Sequence, residues 1–229
     1  MSAIESADPE FLEALTRHVS HQLNNPIASI GSAAYLIEDI LTPESEASES
    51  IQSAMPFVAS IREDATRLKE LVDELRRFFV TSNFLPMKVN LTEFVQTRVS
   101  RANASGMDVK IELSEFGGPL ESDLDLGLMQ AAFELLFKEF VAREATQMTI
   151  RAASDGNQNT IIFSLPAPKG LTSESAQGFF DPIPFSAGQG LGLTLPYIRK
   201  VIEMHSGAIR SRINKTGEFI VEIELPEAQ

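Results

Sequence analysis

Apolar residues recur in steps of three and four along residues 8–41, at Leu12, Leu15, Val19, Leu23, Ile27, Ile30, Ala34, Ile37 and Leu41. That period predicts an amphipathic helix. Asp8-Pro9-Glu10 supplies a cap, a first-turn proline and acidic groups at the positive helix end. A polar loop over 42–50 leads to a second periodic run over 51–80, marked by Met55, Val58, Ile61, Ala65, Leu68, Val72, Leu75 and Phe79. Pro56 there predicts either the true first turn or a kink. Two helices of about thirty residues joined by a short loop make an antiparallel hairpin, with near-heptad steps suited to shallow crossing. Such a hairpin cannot cover both of its apolar faces alone. A homodimer closing a four-helix bundle is therefore expected.

Beyond a connector over 83–90 the texture changes. Residues 91–104 and 124–144 carry helical patterns and 108–113 reads as a strand. Residues 148–153 and 160–165 predict a hairpin turning through Ser154-Asp155-Gly156-Asn157. A glycine-rich loop over 186–192 precedes a helix ending near Gly207, and 208–213 with 218–225 predict a closing strand pair. The class is α+β: a helical hairpin over 1–82, a linker over 83–90 and a mixed layered domain over 91–229.

Composition narrows the chemistry. The 229 residues contain no cysteine, which excludes disulfides, thiolate metal sites and thiol catalysis. With 19 basic against 32 acidic residues the net charge is −13, which argues against nucleic acid and anionic membranes as partners. Residues 1–82 hold six basic and fourteen acidic groups, a net −8. Residues 1–10 lack the basic start of a signal peptide. The initiator Met and compact end predict a stand-alone cytoplasmic protein. Residues 18–37 contain no charged Asp, Glu, Lys or Arg, yet two His, Gln22, Asn24, Asn25 and Pro26 make them too polar for a membrane span.

That uncharged stretch centres on His21. Ser20, Ala28, Ser29, Gly31, Ser32 and Ala33 leave its helix surface free of long charged chains, and Asn25 lies one turn on, on the same face. Neutral imidazole is a nucleophile near neutral pH, and a carboxamide can orient an incoming group without adding charge. His18 and His205 lack these surroundings and are expected to be structural. The stretch VSHQLNNPIASI resembles the H-box of two-component sensor histidine kinases, in the subgroup with a His-Glu-x-Asn-Asn-Pro pattern. The resemblance implies that His21 is the phosphoacceptor on a dimerization and histidine phosphotransfer hairpin. It also implies that an acid follows the histidine in active members to assist proton removal; here Gln22 stands there and cannot act as a base.

Residues 179–225 resemble the ATP-binding domain of the same kinases, a Bergerat-type α/β sandwich. Phe179-Phe180-Asp181-Pro182 matches the F-box, and Gly188-Gln189-Gly190-Leu191-Gly192-Leu193 the second glycine box. Glycines there let backbone N–H groups approach phosphates. Elsewhere the nucleotide boxes are broken. In Glu134-Leu135-Leu136-Phe137-Lys138-Glu139, Lys138 stands where the resemblance implies a Mg²⁺-binding Asn, and a cation there repels the metal. Pro166, in Pro166-Ala167-Pro168-Lys169-Gly170, stands where an Asp accepts the adenine amino group, and no acid occurs from Gly156 to Ser173. The unpaired adenine donor costs roughly 1–3 kcal/mol.

No metal site and no cofactor of its own are therefore expected, with ATP and Mg²⁺ binding weak or lost. The function expected is histidine phosphotransfer: His21 accepts a phosphoryl group from a receiver-domain Asp, which brings its own Mg²⁺, and passes it to a response regulator. An upstream hybrid kinase is a candidate donor. An ATP-dependent kinase using the glycine loop, with Lys138 and Lys169 substituting for metal, and a non-catalytic adaptor that sequesters a response regulator are the alternatives.

Overall fold

A computed structural model describes residues 9–41, 47–79, 84–104, 110–116, 120–154, 157–181 and 191–228. The chain divides into two compact units: residues 1–81 with 183–193, and residues 82–182 with 194–229.

The first unit is the helical hairpin. α1 (Pro9–Ile40) and α2 (Ala47–Phe79) run as single helices through Pro26 and Pro56 respectively. α2 starts four residues before the expected Ile51, so Pro56 is interior rather than first-turn. Residues 47–50 carry no apolar period, which is why the pattern missed them. The buried seam of α1 also differs from the apolar list. Leu15, Gln22, Pro26 and Ala33 are buried at steps of seven, four and seven, while Ile27 is 55% exposed. On α2, Ala54 and Leu71 are buried, but Met55, Val58 and Val72 are exposed. The apolar residues thus form two stripes, and one hairpin covers only one of them.

In the second unit, β1 (Met87–Asn90) pairs antiparallel with β3 (Glu121–Leu124). Both were unexpected: Met87–Asn90 falls in the anticipated connector, and four-residue strands are too short to show a period. Between them lie α3 (Leu91–Ala104) and β2 (Lys110–Phe116). α4 (Leu126–Ala142) starts two residues later than its pattern, because the Asp125 side chain accepts the Leu128 N–H at 3.1 Å and caps it. β4 (Gln147–Ser154) and β5 (Gln158–Pro166) form the expected hairpin. After the short α5 (Ser173–Gln177) come α6 (Thr194–Met204), β6 (Ala208–Ile213) and β7 (Glu218–Pro226).

These strands build a five-stranded sheet in the order β2-β4-β5-β7-β6, with β2 parallel to β4 and the other pairs antiparallel. Burial alternates along β5, as a half-covered strand requires. Its Phe163 meets Phe133, Phe137 and Phe140 of α4 with ring centroids 5.7–6.3 Å apart. Phe163 is fully buried and Phe133 and Phe140 are nearly so. Among the described residues, no helix is long and apolar enough to cross a membrane.

Candidate functional site: the His21 face and the nucleotide-box positions

α1 presents His21, Asn25, Ala28 and Ser32, at steps of four, three and four, on an exposed face, and none is an Asp, Glu, Lys or Arg. The Asn25 Nδ2 lies 3.3 Å from His21 Nδ1. As placed, the carboxamide donates to Nδ1, leaving the ring proton on Nε2. Turned by half a rotation, its Oδ1 would accept an Nδ1–H and leave the Nε2 lone pair facing solvent. The same side chain thus serves both tautomers. Gly31 is open on its outer side, with nothing within 4 Å of where a Cβ would stand. A mid-helix glycine costs roughly 0.5–1 kcal/mol relative to alanine, and packing within the hairpin gives no return for it.

Gln22 does not share that face. It is 8% exposed, and its Oε1 accepts from Arg67 Nη2 at 3.3 Å. Successive helix residues lie about 100° apart, so position 22 points into the seam while position 21 points out. Three residues beyond Pro26, Ser29 Oγ donates to Asp64 Oδ2 at 2.6 Å. Neither α2 partner was anticipated, since nothing in a helical period reports which polar residue will face it across a hairpin.

His205 is closed on both sides. It is 5% exposed; its Nδ1–H donates to the Val201 carbonyl at 2.7 Å and its Nε2 accepts the Asp125 N–H at 2.9 Å. That is the structural role expected of it. Asp125 Oδ2 also accepts the Leu85 N–H at 3.0 Å. Burial pushes the Asp125 carboxyl up, but the N–H groups of Leu85, Leu128 and Gly127 outweigh it and hold the pKa below the usual range. His18 is half-buried.

The positions matched to nucleotide boxes are spread over α4, β5 and loops. Glu134 and Lys138 are exposed one turn apart on α4. Glu134 faces Arg98 of α3 at 3.8 Å, and that buried guanidinium also lies over the Phe94 ring. Glu134 is thus engaged in holding α3 to α4. Pro166 is the exposed last residue of β5, opposite Glu218. Gly170 takes φ +81° in a turn where the Leu171 N–H reaches the Pro168 carbonyl at 3.1 Å. Gly192 takes φ +69°; Gly188 and Gly190 lie outside the described residues. Among the described residues, no three His, Cys, Asp or Glu side chains gather as a metal site.

One contact was not foreseen at all. Glu74 of α2 accepts the backbone N–H of Leu191 at 2.9 Å and of Leu193 at 2.7 Å. Leu191 and Leu193 are buried with Leu15 and Leu71, and Val19, Leu23, Leu75, Phe78 and Phe79 pack around them.

Residues 11–79 match the family model described as the His Kinase A (phospho-acceptor) domain. Over 219 residues the chain is 26% identical to the sensor histidine kinase ZraS of Salmonella typhi and 25% identical to that of Salmonella typhimurium. Each match covers 93% of this chain and 45% of the relative, so the chain spans less than half the length of those proteins. Among solved structures, histidine kinase ThkA in complex with response regulator protein TrrA superposes with a TM-score of 0.68 at 19% identity, over 95% of this chain and 62% of that one. Full-length ShkA in complex with AMPPNP gives 0.60 at 14%, over 95% and 46%. The ThkA catalytic domain gives 0.53 at 18%, over 63% and 99%. These structural likenesses establish the fold: a helical hairpin followed by an α/β domain of the histidine-kinase catalytic type. With the exposed His21 inside the phospho-acceptor match and a domain of that fold following it, the chain is similar to two-component histidine kinases.

Proposed function

We propose that this protein is a histidine phosphotransfer protein, taking a phosphoryl group on His21 from a receiver-domain aspartyl phosphate and returning it to a response regulator. The observation that carries this reading is the exposed His21 imidazole, braced by Asn25 on a helix face that is free of Asp, Glu, Lys and Arg from His21 to Ser32. The Nε2 lone pair attacks phosphorus, the P–O bond to the receiver aspartate breaks with its electrons on the carboxylate, and the ring proton passes to solvent as the N–P bond forms. Reversal delivers the group to the next receiver. An uncharged surface suits docking of a second protein that brings its own acidic, metal-holding pocket. ThkA, whose solved complex contains a response regulator, supports a partner of that type here.

The residues present do not fit an ATP–Mg²⁺ site. Lys138 offers a cation where a metal ligand is needed, Pro166 offers no side-chain acceptor, and Gln22 faces Arg67 rather than the imidazole. No step is assigned to nucleotide. The exposed Leu36, Leu41, Ile51, Met55 and Val58 near the hairpin's loop end support pairing with a second copy.

The test uses the purified chain and a panel of receiver domains phosphorylated with radiolabelled acetyl phosphate. Label should move to the chain as an acid-labile phosphohistidine and vanish in His21→Ala. Robust His21-dependent labelling from ATP and Mg²⁺ would overturn the reading in favour of a kinase. Receiver binding without any transfer would make the protein an adaptor.

A further inference from the structure

The two amides bound by Glu74 form a recognisable device. Gly192 lies between them in the left-handed region, φ +69°, and a Cβ at that position would meet nothing within 4 Å. The glycine is therefore there for its backbone angle, not for space. A left-handed residue between two others turns alternate N–H groups to one side, which is the geometry of a backbone anion nest. The nest is filled from within: both oxygens of the Glu74 carboxylate are spent on Leu191 and Leu193. The flanking leucines are 0% and 1% exposed in the apolar cluster with Leu15 and Leu71, so the carboxylate contact and burial act on the same two residues. Glu70, one turn earlier on α2, is exposed and lines the same open groove along α2 without this contact.

We propose that Glu74 is an autoinhibitory latch: an internal anion that occupies the nest at Leu191–Leu193, keeps this segment closed on the hairpin and denies its amides to phosphate-bearing ligands. The inference rests on these contacts and is independent of how His21 acquires its phosphoryl group.

Amide exchange followed by NMR on the full chain tests it, with far-UV circular dichroism confirming that the helices persist. Glu74→Ala should speed exchange at Leu191 and Leu193 roughly tenfold to a hundredfold, the loss expected for hydrogen bonds to a charged acceptor. The near-isosteric Glu74→Gln, which keeps one carbonyl acceptor, should fall between it and the native chain, and Glu70→Ala should match the native chain. Inorganic tripolyphosphate should slow the two amides again in Glu74→Ala and leave the native protein unchanged. Native exchange rates in Glu74→Ala, an equal effect of Glu70→Ala, or no response of Glu74→Ala to tripolyphosphate would each overturn the latch.

Discussion

Substituting Gln22 separates two explanations of the same position. If residue 22 matters only as an absent base, Gln22→Ala leaves the fold untouched and Gln22→Glu moves the protein toward kinase activity. The geometry predicts otherwise. Gln22→Ala removes the acceptor of a hydrogen bond to the Arg67 guanidinium, worth roughly 1.5–3 kcal/mol, because one partner is charged and only part-exposed. It also removes one buried methylene, about 0.8 kcal/mol. The loss of roughly 2–4 kcal/mol corresponds to a fall in Tm of about 4–16 °C, at about 2–4 °C per kcal/mol for a chain of this size. Gln22→Glu keeps the packing and strengthens the bond to a charge-assisted one, against which stands the cost of desolvating a carboxylate. Its Tm should stay close to the native value. Its carboxylate faces Arg67, not the imidazole, so ATP-dependent labelling of His21 should remain absent. Thermal melts followed by helical circular dichroism, together with ATP and phospho-receiver labelling, make the measurement. A Gln22→Ala Tm equal to the native one, or strong ATP labelling of Gln22→Glu, would refute the inward placement.

Asp125→Ala should destabilise the second unit by roughly 0.5–2 kcal/mol in denaturant titration, chiefly from a lost helix cap. Because its carboxyl is held below the usual range, the part of that contribution due to ionisation is fully present above about pH 4 and is lost as pH falls through the lowered folded-state pKa, so the gap between variant and native protein should narrow in acid. Pro166→Asp with Lys138→Asn should raise calorimetric affinity for Mg–AMPPNP by roughly 1–3 kcal/mol for the adenine contact alone, at a small stability cost because the new Asp faces Glu218 across the ladder; affinity unchanged from the native chain would show that other features, not these two, determine binding. Gly192→Ala should cost about 1–2 kcal/mol by forcing an L side chain into the left-handed region, and equal stability would show that the loop relaxes to another angle.

The sequence made both long helices and the β4–β5 and β6–β7 hairpins legible, because those elements are long enough for their periods to repeat. It did not show β1 and β3, whose four-residue pairing lies more than thirty positions apart, nor the start of α2, where Ser and Glu carry no apolar period. At the site, His21 and Asn25 were legible because they share a local helical face. Arg67, Asp64, Arg98 and Glu74 were not, since each acquires its role from a partner on another element. Glu74 meets Leu191 at a separation of 117 residues, and no spacing rule spans that distance.

The polar seam explains why His21 is presented at all. Leu15, Ala33 and their neighbours fix the helix pair only by nondirectional burial, which tolerates some rotation of α1 about its axis. Gln22–Arg67 and Ser29–Asp64 bracket Asn25 and Pro26, and hydrogen bonds tolerate far less. A rotation of one residue, about 100°, would carry His21 into the seam and bury an imidazole against Arg67. The two cross-links therefore set the angle that leaves His21, Asn25, Ala28 and Ser32 outward. Pro26 adds to this, because its missing N–H leaves the Gln22 carbonyl without a helical donor in the turn that carries His21. Exposure of His21 thus follows from a buried Gln22 placed where an apolar pattern alone would have put leucine.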